Sequence, residues 1–168
     1  RRLREFTKSQ PFELEALSLN DVVREAAELA GYGIRRSGAK LRLNLAENLP
    51  IVLGDRIQLE QLVINLLMNG CEAMEQRNAA DRILAVQTAV HGSTLSLAVS
   101  DAGCGVKDEE MHRLFEAFYT TKEEGMGMGL VLCQSIAEAH GGDLRAERNA
   151  GGPGMTLTLT LNSTGGTS

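Results

Sequence analysis

Apolar and polar positions recur along this chain with a helical period in three segments. Apolar residues three or four positions apart run from Asn20 to Ala30, where Asn20 is the predicted N-cap, and again from about Asp55 to Gln76. A third such segment runs from about Gly127 to Ala139, and Gly141 would end it. The pattern therefore predicts three long amphipathic helices.

A period of two predicts strands elsewhere. Leucines alternate with polar residues at 41–45, a short apolar run occupies 50–54, and two hairpins are predicted, from segments 83–90 with 94–100 and 143–149 with 155–161. A short helix is predicted around 108–115. Hairpins pair antiparallel, and long helices need an apolar sheet face to cover. We therefore predict an α+β fold, a two-layer sandwich in which three helices cover one face of a mixed, mostly antiparallel sheet of about five strands.

Composition narrows the class of protein. The 168 residues are 43% apolar and 23% charged, which is enough for one compact domain with a real core. The net charge is −5 and basic residues cluster only near the start, so nucleic-acid binding is not expected. The three cysteines form no Cys-x-x-Cys pair, and no stretch resembles a membrane span or signal peptide. A cytoplasmic location is predicted, and membrane anchoring of a parent protein stays open.

The ends of the chain differ from its middle. Residues 1–17 are charged, contain Pro11 and start without Met, which is typical of a helix end and linker cut from a longer chain. Residues 162–168 (NSTGGTS) predict a disordered tail. The predicted domain therefore spans 18–161.

Two amides and a carboxylate share one face of the predicted helix 55–76. Asn65, Asn69 and Glu72 follow one another at i, i+4 and i+7. Mg²⁺ needs one or two protein oxygens besides substrate phosphates, and an Asn carbonyl oxygen suits it. The alternative is an ordinary polar helix face.

A carboxylate stands in a glycine turn after the predicted strand 94–100. Gly103 and Gly105 allow the backbone to turn tightly beside a flat ligand, and Asp101 can accept a hydrogen bond from an exocyclic amine such as that of adenine. An ordinary turn is the alternative.

A third motif, GMGMGL at 125–130, leads glycines directly into an apolar helix. It fits neither the P-loop nor the dinucleotide pattern, yet backbone N–H groups at a helix start attract anions. The aromatic segment 114–122 before it ends in Lys122, a candidate phosphate ligand. A linker with no function and plain core aromatics are the alternatives.

Taken together, these motifs resemble the catalytic ATP-binding domain of two-component sensor histidine kinases, in the superfamily that includes DNA gyrase, heat-shock chaperones and mismatch-repair proteins. NLLMN at 65–69 is similar to the family's N box, DAGCGV to its first glycine box, LFEAFYTTK to its F box, and GMGMGLVLCQSIAEAHGG to its second glycine box. The resemblance covers about residues 18–161 and implies the Bergerat ATP-binding fold with ATP and Mg²⁺ as ligands.

The resemblance also implies roles for individual residues. Asn69, with Asn65 nearby, would hold the metal, and these two with Lys122 form the catalytic group. Nucleotide contacts are implied for Asn69, Asp101, Gly103, Gly105, Lys122, Gly125, Gly127, Gly129, Leu130 and Thr156. Gly70 and Glu72 depart from the family pattern, where Ala and Lys are common.

Position 65 separates phosphate transfer from hydrolysis. Hydrolytic relatives have a glutamate there as general base, whereas an amide takes no proton at neutral pH. None of His91, His112 and His140 matches the family's acceptor motif. The resemblance therefore implies transfer of the γ-phosphate to a histidine on a dimerisation and histidine-phosphotransfer domain upstream, then to a response regulator receiver domain. The fragment would be monomeric and its parent a homodimer. A self-contained ATPase, an anti-sigma serine kinase and a non-catalytic nucleotide-sensing module are the alternatives.

Overall fold

A computed structural model describes residues 11–116 and 129–164 of the chain. Four α-helices lie within these ranges: α1 (Leu19–Leu29), α2 (Gly31–Ser37), α3 (Arg56–Ala73) and α4 (Gly129–Ala139). The strands are β1 (Glu15–Leu17), β2 (Lys40–Asn44), β3 (Val52–Gly54), β4 (Ile83–His91), β5 (Thr94–Ser100), β6 (Asp143–Arg148) and β7 (Met155–Asn162). Short 3₁₀ turns cover Ala79–Asp81 and Asp108–Arg113.

Five strands form one mixed sheet in the order β2-β4-β5-β7-β6. Only β2 and β4 run parallel, and the other three pairs are antiparallel. The predicted α+β sandwich is confirmed, including both hairpins. The first hairpin turns at Gly92, whose φ of 63° is one that glycine adopts without strain.

The core lies between one face of the sheet and the helices. Alternate residues of β5 and β7 are buried on that face, and α3 packs its apolar stripe against them; the buried stripe comprises Leu59, Leu62, Val63, Leu66, Leu67, Gly70 and Cys71. Met74, just past α3, is fully buried as well. Among the described residues, none of the helices has the length and hydropathy of a membrane span.

The start of α1 differs from the prediction. Ser18, not Asn20, is the N-cap, and its hydroxyl accepts a hydrogen bond from the backbone N–H of Asp21. Asn20 is the second residue of the helix and is buried; its Oδ1 accepts a hydrogen bond from Thr88 Oγ1 and its Nδ2 donates to Ala46 O. Periodicity could not reveal this role, because only the tertiary structure supplies Asn20 with buried partners.

Helix α2 follows α1 at Gly31, directly after the end of the predicted helix 20–30, and the sequence did not predict it. A Cβ at Gly33 would lie 2.8 Å from Met68 Cε, so this glycine allows α2 to approach α3 closely. Gly33 thus allows the two helices to pack together, and helix propensity alone does not predict this contribution.

Both predicted chain ends contain residues that pair with the domain. β1 joins β3 in a separate antiparallel two-stranded sheet, and Glu13 donates its N–H to Asp55 Oδ2. At the other end, Ser163 N donates to Ser93 O and Thr164 N to Ile51 O. The described parts of the linker and tail are therefore anchored, while the domain boundaries at 18 and 161 stay predictions.

The first turn of α3 is tied to its neighbours by charged residues. Arg56 Nε contacts Glu15 Oε1 of β1 at 2.9 Å, and Arg56 Nη1 contacts Glu25 Oε2 of α1 at 3.2 Å. Glu25 in turn is hydrogen-bonded to Glu60. Partial burial, together with the hydrogen bond and charge of Glu25, raises the pKa of Glu60 to about 7.

The pair of glutamates makes stability depend on pH. A carboxyl with a raised pKa in the folded state stabilises the fold at low pH, and that contribution is lost as pH rises from about 4.5 through 7. Glu60→Gln should keep the hydrogen bond without a second charge, so we expect a melting temperature about 2 °C higher than wild type at pH 8 and no gain at pH 5.

The control for that measurement is Glu28→Gln, an exposed change on α1. It should leave the melting temperature unchanged at both pH values. Equal melting temperatures of Glu60→Gln and wild type at pH 8 would contradict the assignment.

Candidate functional site

Helix α3 carries the two predicted metal-binding amides on its edge. Asp55 caps the helix by accepting a hydrogen bond from Gln58 N at 3.1 Å, and leucines anchor the opposite side in the core. Asn65 and Asn69 are half-buried at the border of this apolar stripe, and Glu72 is exposed. Asn65 and Asn69, four residues apart in the sequence, therefore lie on the same face of a rigid helix, as their spacing predicts.

Asn65 has a partner on α4. Its side chain hydrogen-bonds to the Cys133 thiol, which also donates to Leu62 O at 3.7 Å. Burial raises the pKa of Cys133 to about 12, and the contact with Asn65 opposes part of that rise. Asn65 therefore joins α3 to α4, and its predicted metal contact stays a prediction.

The glycine turn after β5 is docked on the last turn of α3. A Cβ at Gly103 would lie 2.8 Å from the carbonyl carbon of Ala73 and closer still to its oxygen. Next to it, Ala102 N approaches Met74 Sδ at 3.3 Å. The glycine at 103 is thus required by the close approach of two backbones.

Gly70, which departs from the family's common alanine, lies at the same junction. A Cβ there would lie 2.5 Å from Leu84 Cδ1 and 3.5 Å from Asp101 Cβ. The missing side chain makes room for a bulky leucine of β4 and for Asp101. The Leu84 side chain thus fills the space that the Cβ of an alanine at position 70 would need.

Asp101 is buried, with 6% of its surface exposed, and faces α3. Its Oδ1 accepts hydrogen bonds from Gly103 N at 2.8 Å and Met155 N at 3.3 Å. Its own N–H donates to Met155 O at 2.9 Å. The carboxylate is consequently held in one orientation by the chain itself.

Thr156 lies on the other face of the sheet from Asp101. Met155 and Leu157 are buried toward the helices, so the residue between them points away, and its hydroxyl lies 2.7 Å from Ser100 Oγ. The water-mediated adenine contact implied for Thr156 stays a prediction. On the helix side, Met155 occupies the position beside Asp101, because strand residues alternate between faces.

The glycine motif before α4 is described only in part. Gly129 and Leu130 begin α4, with Gly129 exposed and Leu130 packed against the core. Lys122, Gly125 and Gly127 lie outside the described residues. Gly105 has a φ of 75°, and among residues 11–116 and 129–164 a Cβ there would meet only Gly154 O, at 4.0 Å.

Two residues that the sequence did not single out hold the turn 101–107. Arg148 donates from Nε and Nη2 to Val106 O at 3.1 and 2.6 Å, and its Nη1 contacts Asp108 Oδ1 at 2.7 Å. Asn149 Nδ2 donates to Asp101 O at 2.7 Å. No pattern in the sequence marks them, because both stand beside a glycine-rich turn that reads as ordinary loop.

His140 is engaged on both ring nitrogens. Nε2 accepts a hydrogen bond from Asp55 N at 3.0 Å, and Nδ1 donates to Ile136 O at 2.7 Å. The ring also meets Phe12 edge-on, with centroids 5.1 Å apart. This histidine thus joins α4, α3 and the N-terminal segment, which explains a residue with no predicted role.

Two of the motifs, the amide pair and the Asp101 turn, lie along α3. Asn65 contacts Cys133 of α4, Asn69 follows one turn later, and residues 70–74 carry the Asp101 turn, a span of about 12 Å along the helix axis. A ligand lying along this part of α3 would meet the two amides at one end and a buried carboxylate at the other. Such an arrangement suits an elongated molecule with anionic and hydrogen-bond-donating ends.

The chain is similar in sequence to known proteins. The family model described as histidine kinase-, DNA gyrase B- and HSP90-like ATPase matches residues 54–165. The chain is 39% identical to the sensor protein FixL of Bradyrhizobium diazoefficiens, and 39% identical to the C4-dicarboxylate transport sensor protein DctS of Rhodobacter capsulatus, over 96% of its length in each case. It spans 32% and 24% of those two relatives.

Solved structures share the fold. The catalytic domain of the histidine kinase ThkA has a TM-score of 0.78 at 24% identity, with 90% of this chain and 98% of that domain covered. ThkA in complex with the response regulator protein TrrA has a TM-score of 0.79 at 22% identity, with 97% of this chain and 46% of that chain covered.

Proposed function

This chain belongs to the histidine kinase-, DNA gyrase B- and HSP90-like ATPase family, and on that premise we propose that it is the ATP-binding catalytic domain of a sensor histidine kinase. The observation that carries the proposal is the convergence on α3 of Asn65, Asn69 and the docked Asp101 turn. The curated relatives named above are sensor proteins, and the chain covers a third or less of each. The activity of the whole protein is therefore part of the proposal.

The residues present fit a magnesium nucleotide. Asp101 offers a buried carboxylate whose orientation is set by two backbone N–H groups, which suits the amino group of adenine. Asn69 offers an amide oxygen on a rigid helix, and such hard ligands suit Mg²⁺ together with phosphate oxygens. Bound Mg²⁺ would neutralise charge on the transferred phosphoryl group.

The choice of residue at position 65 favours transfer over hydrolysis. An amide cannot accept a proton from water at neutral pH, and in this chain its side chain is bonded to Cys133. A water molecule beside Asn65 would therefore find no general base there, and the γ-phosphate would be transferred to a protein nucleophile instead. His140 is a poor nucleophile for this purpose because both of its nitrogens are hydrogen-bonded within the domain.

The acceptor and the next protein in the relay lie outside this chain in the proposal. We infer that a histidine on the dimerisation domain of the same parent receives the phosphate and that a response regulator receiver domain takes it from there. The relative ThkA forms a complex with a response regulator, which supports this inference. A cytoplasmic location is proposed with it, since this domain would need access both to ATP and to the receiver domain.

Binding can be tested by calorimetry with ATP in the presence and absence of Mg²⁺. The wild-type chain should bind more tightly with Mg²⁺, and Asn69→Ala should lose most of that gain while still binding metal-free ATP, because the substitution removes the proposed metal ligand. Asn44→Ala, an exposed change at the end of β2, is the matched control. No Mg²⁺-dependent binding by wild type would refute the proposed function.

Transfer is tested separately. Mixing the chain with the dimerisation domain of its parent and labelled ATP should yield acid-labile phosphohistidine, with little phosphate released by the chain alone. Steady phosphate release without that domain would favour the ATPase alternative, and binding without any labelled protein would favour a nucleotide-sensing module.

A further inference from the structure

Asn149 lies behind Asp101, in the segment that leaves β6 and turns toward β7. Its Nδ2 donates to Asp101 O at 2.7 Å and to Pro153 O at 2.9 Å. Its Oδ1 accepts from Thr156 Oγ1 at 2.5 Å, and that hydroxyl lies 2.7 Å from Ser100 Oγ. Both ends of the amide are therefore used, and only this side-chain chemistry satisfies them.

The surrounding backbone fits this arrangement tightly. Gly154 has a φ of 98°, and a Cβ on it would lie 2.8 Å from the carbonyl carbon of Asp101 and 2.9 Å from Asn149 Nδ2. The β6–β7 turn thus rests directly on the Asp101 peptide. On the helix side, the backbone N–H groups of Met155 and Gly103 hold the carboxylate of Asp101.

Asp101 is thus fixed on both sides, by its carboxylate in front and by its carbonyl group behind. A rotation of the Asp101–Ala102 peptide would break the 2.7 Å bond to Asn149 and displace Gly103, whose N–H holds the Asp101 carboxylate. The two bonds on the helix side, of 2.8 and 3.3 Å, both end on Oδ1 of that carboxylate.

We propose that Asn149 is a positioning residue for purine recognition, which aims the Asp101 carboxylate at the 6-amino group of the base. The inference rests on the proposed nucleotide-binding function and deepens it. Asn149 contacts no nucleotide in this role; it acts through Asp101, with Thr156 orienting its amide. The role of Thr156 is thus to hold Asn149 rather than to contact adenine.

The test is selectivity between two nucleotides measured by calorimetry with Mg²⁺: ATP and purine riboside triphosphate, which lacks the 6-amino group. Wild type should prefer ATP by at least about tenfold. Asn149→Asp places an acceptor against the carbonyl oxygens of Asp101 and Pro153. It should weaken ATP binding about tenfold and purine riboside triphosphate binding less than about twofold.

Asn162→Asp, the same chemical change at the exposed end of β7, is the matched control and should keep the preference. Thr156→Val removes the hydroxyl that donates to Asn149, together with its contact to Ser100 Oγ, and should reduce the preference in the same sense, which keeps the test open if Asn149→Asp does not fold. Equal losses for both nucleotides, or an unchanged preference, would overturn the positioning role. Failure of wild type to bind ATP would instead refute the proposed function.

Discussion

Replacing Asp101 with asparagine should weaken ATP binding by about 100-fold while the domain stays folded. The carboxylate is buried and held by Gly103 N and Met155 N, both of which an amide oxygen could still serve. The new amide nitrogen, however, would present a donor to the amino group of adenine. Donor would then face donor in a site shielded from water, where an unpaired polar group is most costly.

Calorimetry with ATP and a thermal melt on the same sample separate the two effects of Asp101→Asn. Asp81→Asn, an exposed change in the 3₁₀ turn Ala79–Asp81, serves as the control and should alter neither quantity. An ATP affinity within threefold of wild type would show that Asp101 does not recognise the base.

Replacing Gly103 with alanine should cost both stability and nucleotide binding. The added Cβ would lie 2.8 Å from the carbonyl carbon and 3.0 Å from the Cβ of Ala73, and no rotamer relieves contact with a helix backbone. The turn would have to move away from α3 at a cost of about 1–3 kcal/mol. Because Asp101 is two residues away, its carboxylate would be displaced as well.

The matched control is Gly152→Ala, since a Cβ at Gly152 meets no described residue within 4 Å and the change is chemically the same. Gly103→Ala should melt several degrees lower than wild type and lose most ATP affinity, whereas Gly152→Ala should match wild type in both measurements. A stable Gly103→Ala protein with normal affinity would contradict the docked turn as the basis of the site.

Local patterns predicted the elements well because each reflects a single period or a single turn residue. The strands 83–90 and 94–100 appear as Ile83–His91 and Thr94–Ser100, and the helix 55–76 as Arg56–Ala73. Membership in the ATPase family is confirmed by the match over residues 54–165. Motif order along the chain identified the family because the pocket is assembled from consecutive segments.

Patterns failed where a residue's role depends on a distant partner. Asn20 is typical of a helix cap, but its side chain is hydrogen-bonded to Thr88. Gly33 is typical of a helix breaker, but the missing side chain leaves room for Met68. Glycines at 70, 103 and 154 all appear as ordinary turn or helix residues until their neighbours are known.

The sequence by itself determined the class of fold, the family and the residues predicted to offer amide and carboxylate groups to a ligand, since hydrophobic period and motif spacing are local properties. The tertiary structure alone decided how those groups are held. Asn149 fixes the Asp101 peptide from behind, Gly103 lets the turn meet Ala73, and Cys133 engages Asn65. These contacts join residues far apart along the chain, and a one-dimensional pattern carries no record of which backbones approach each other.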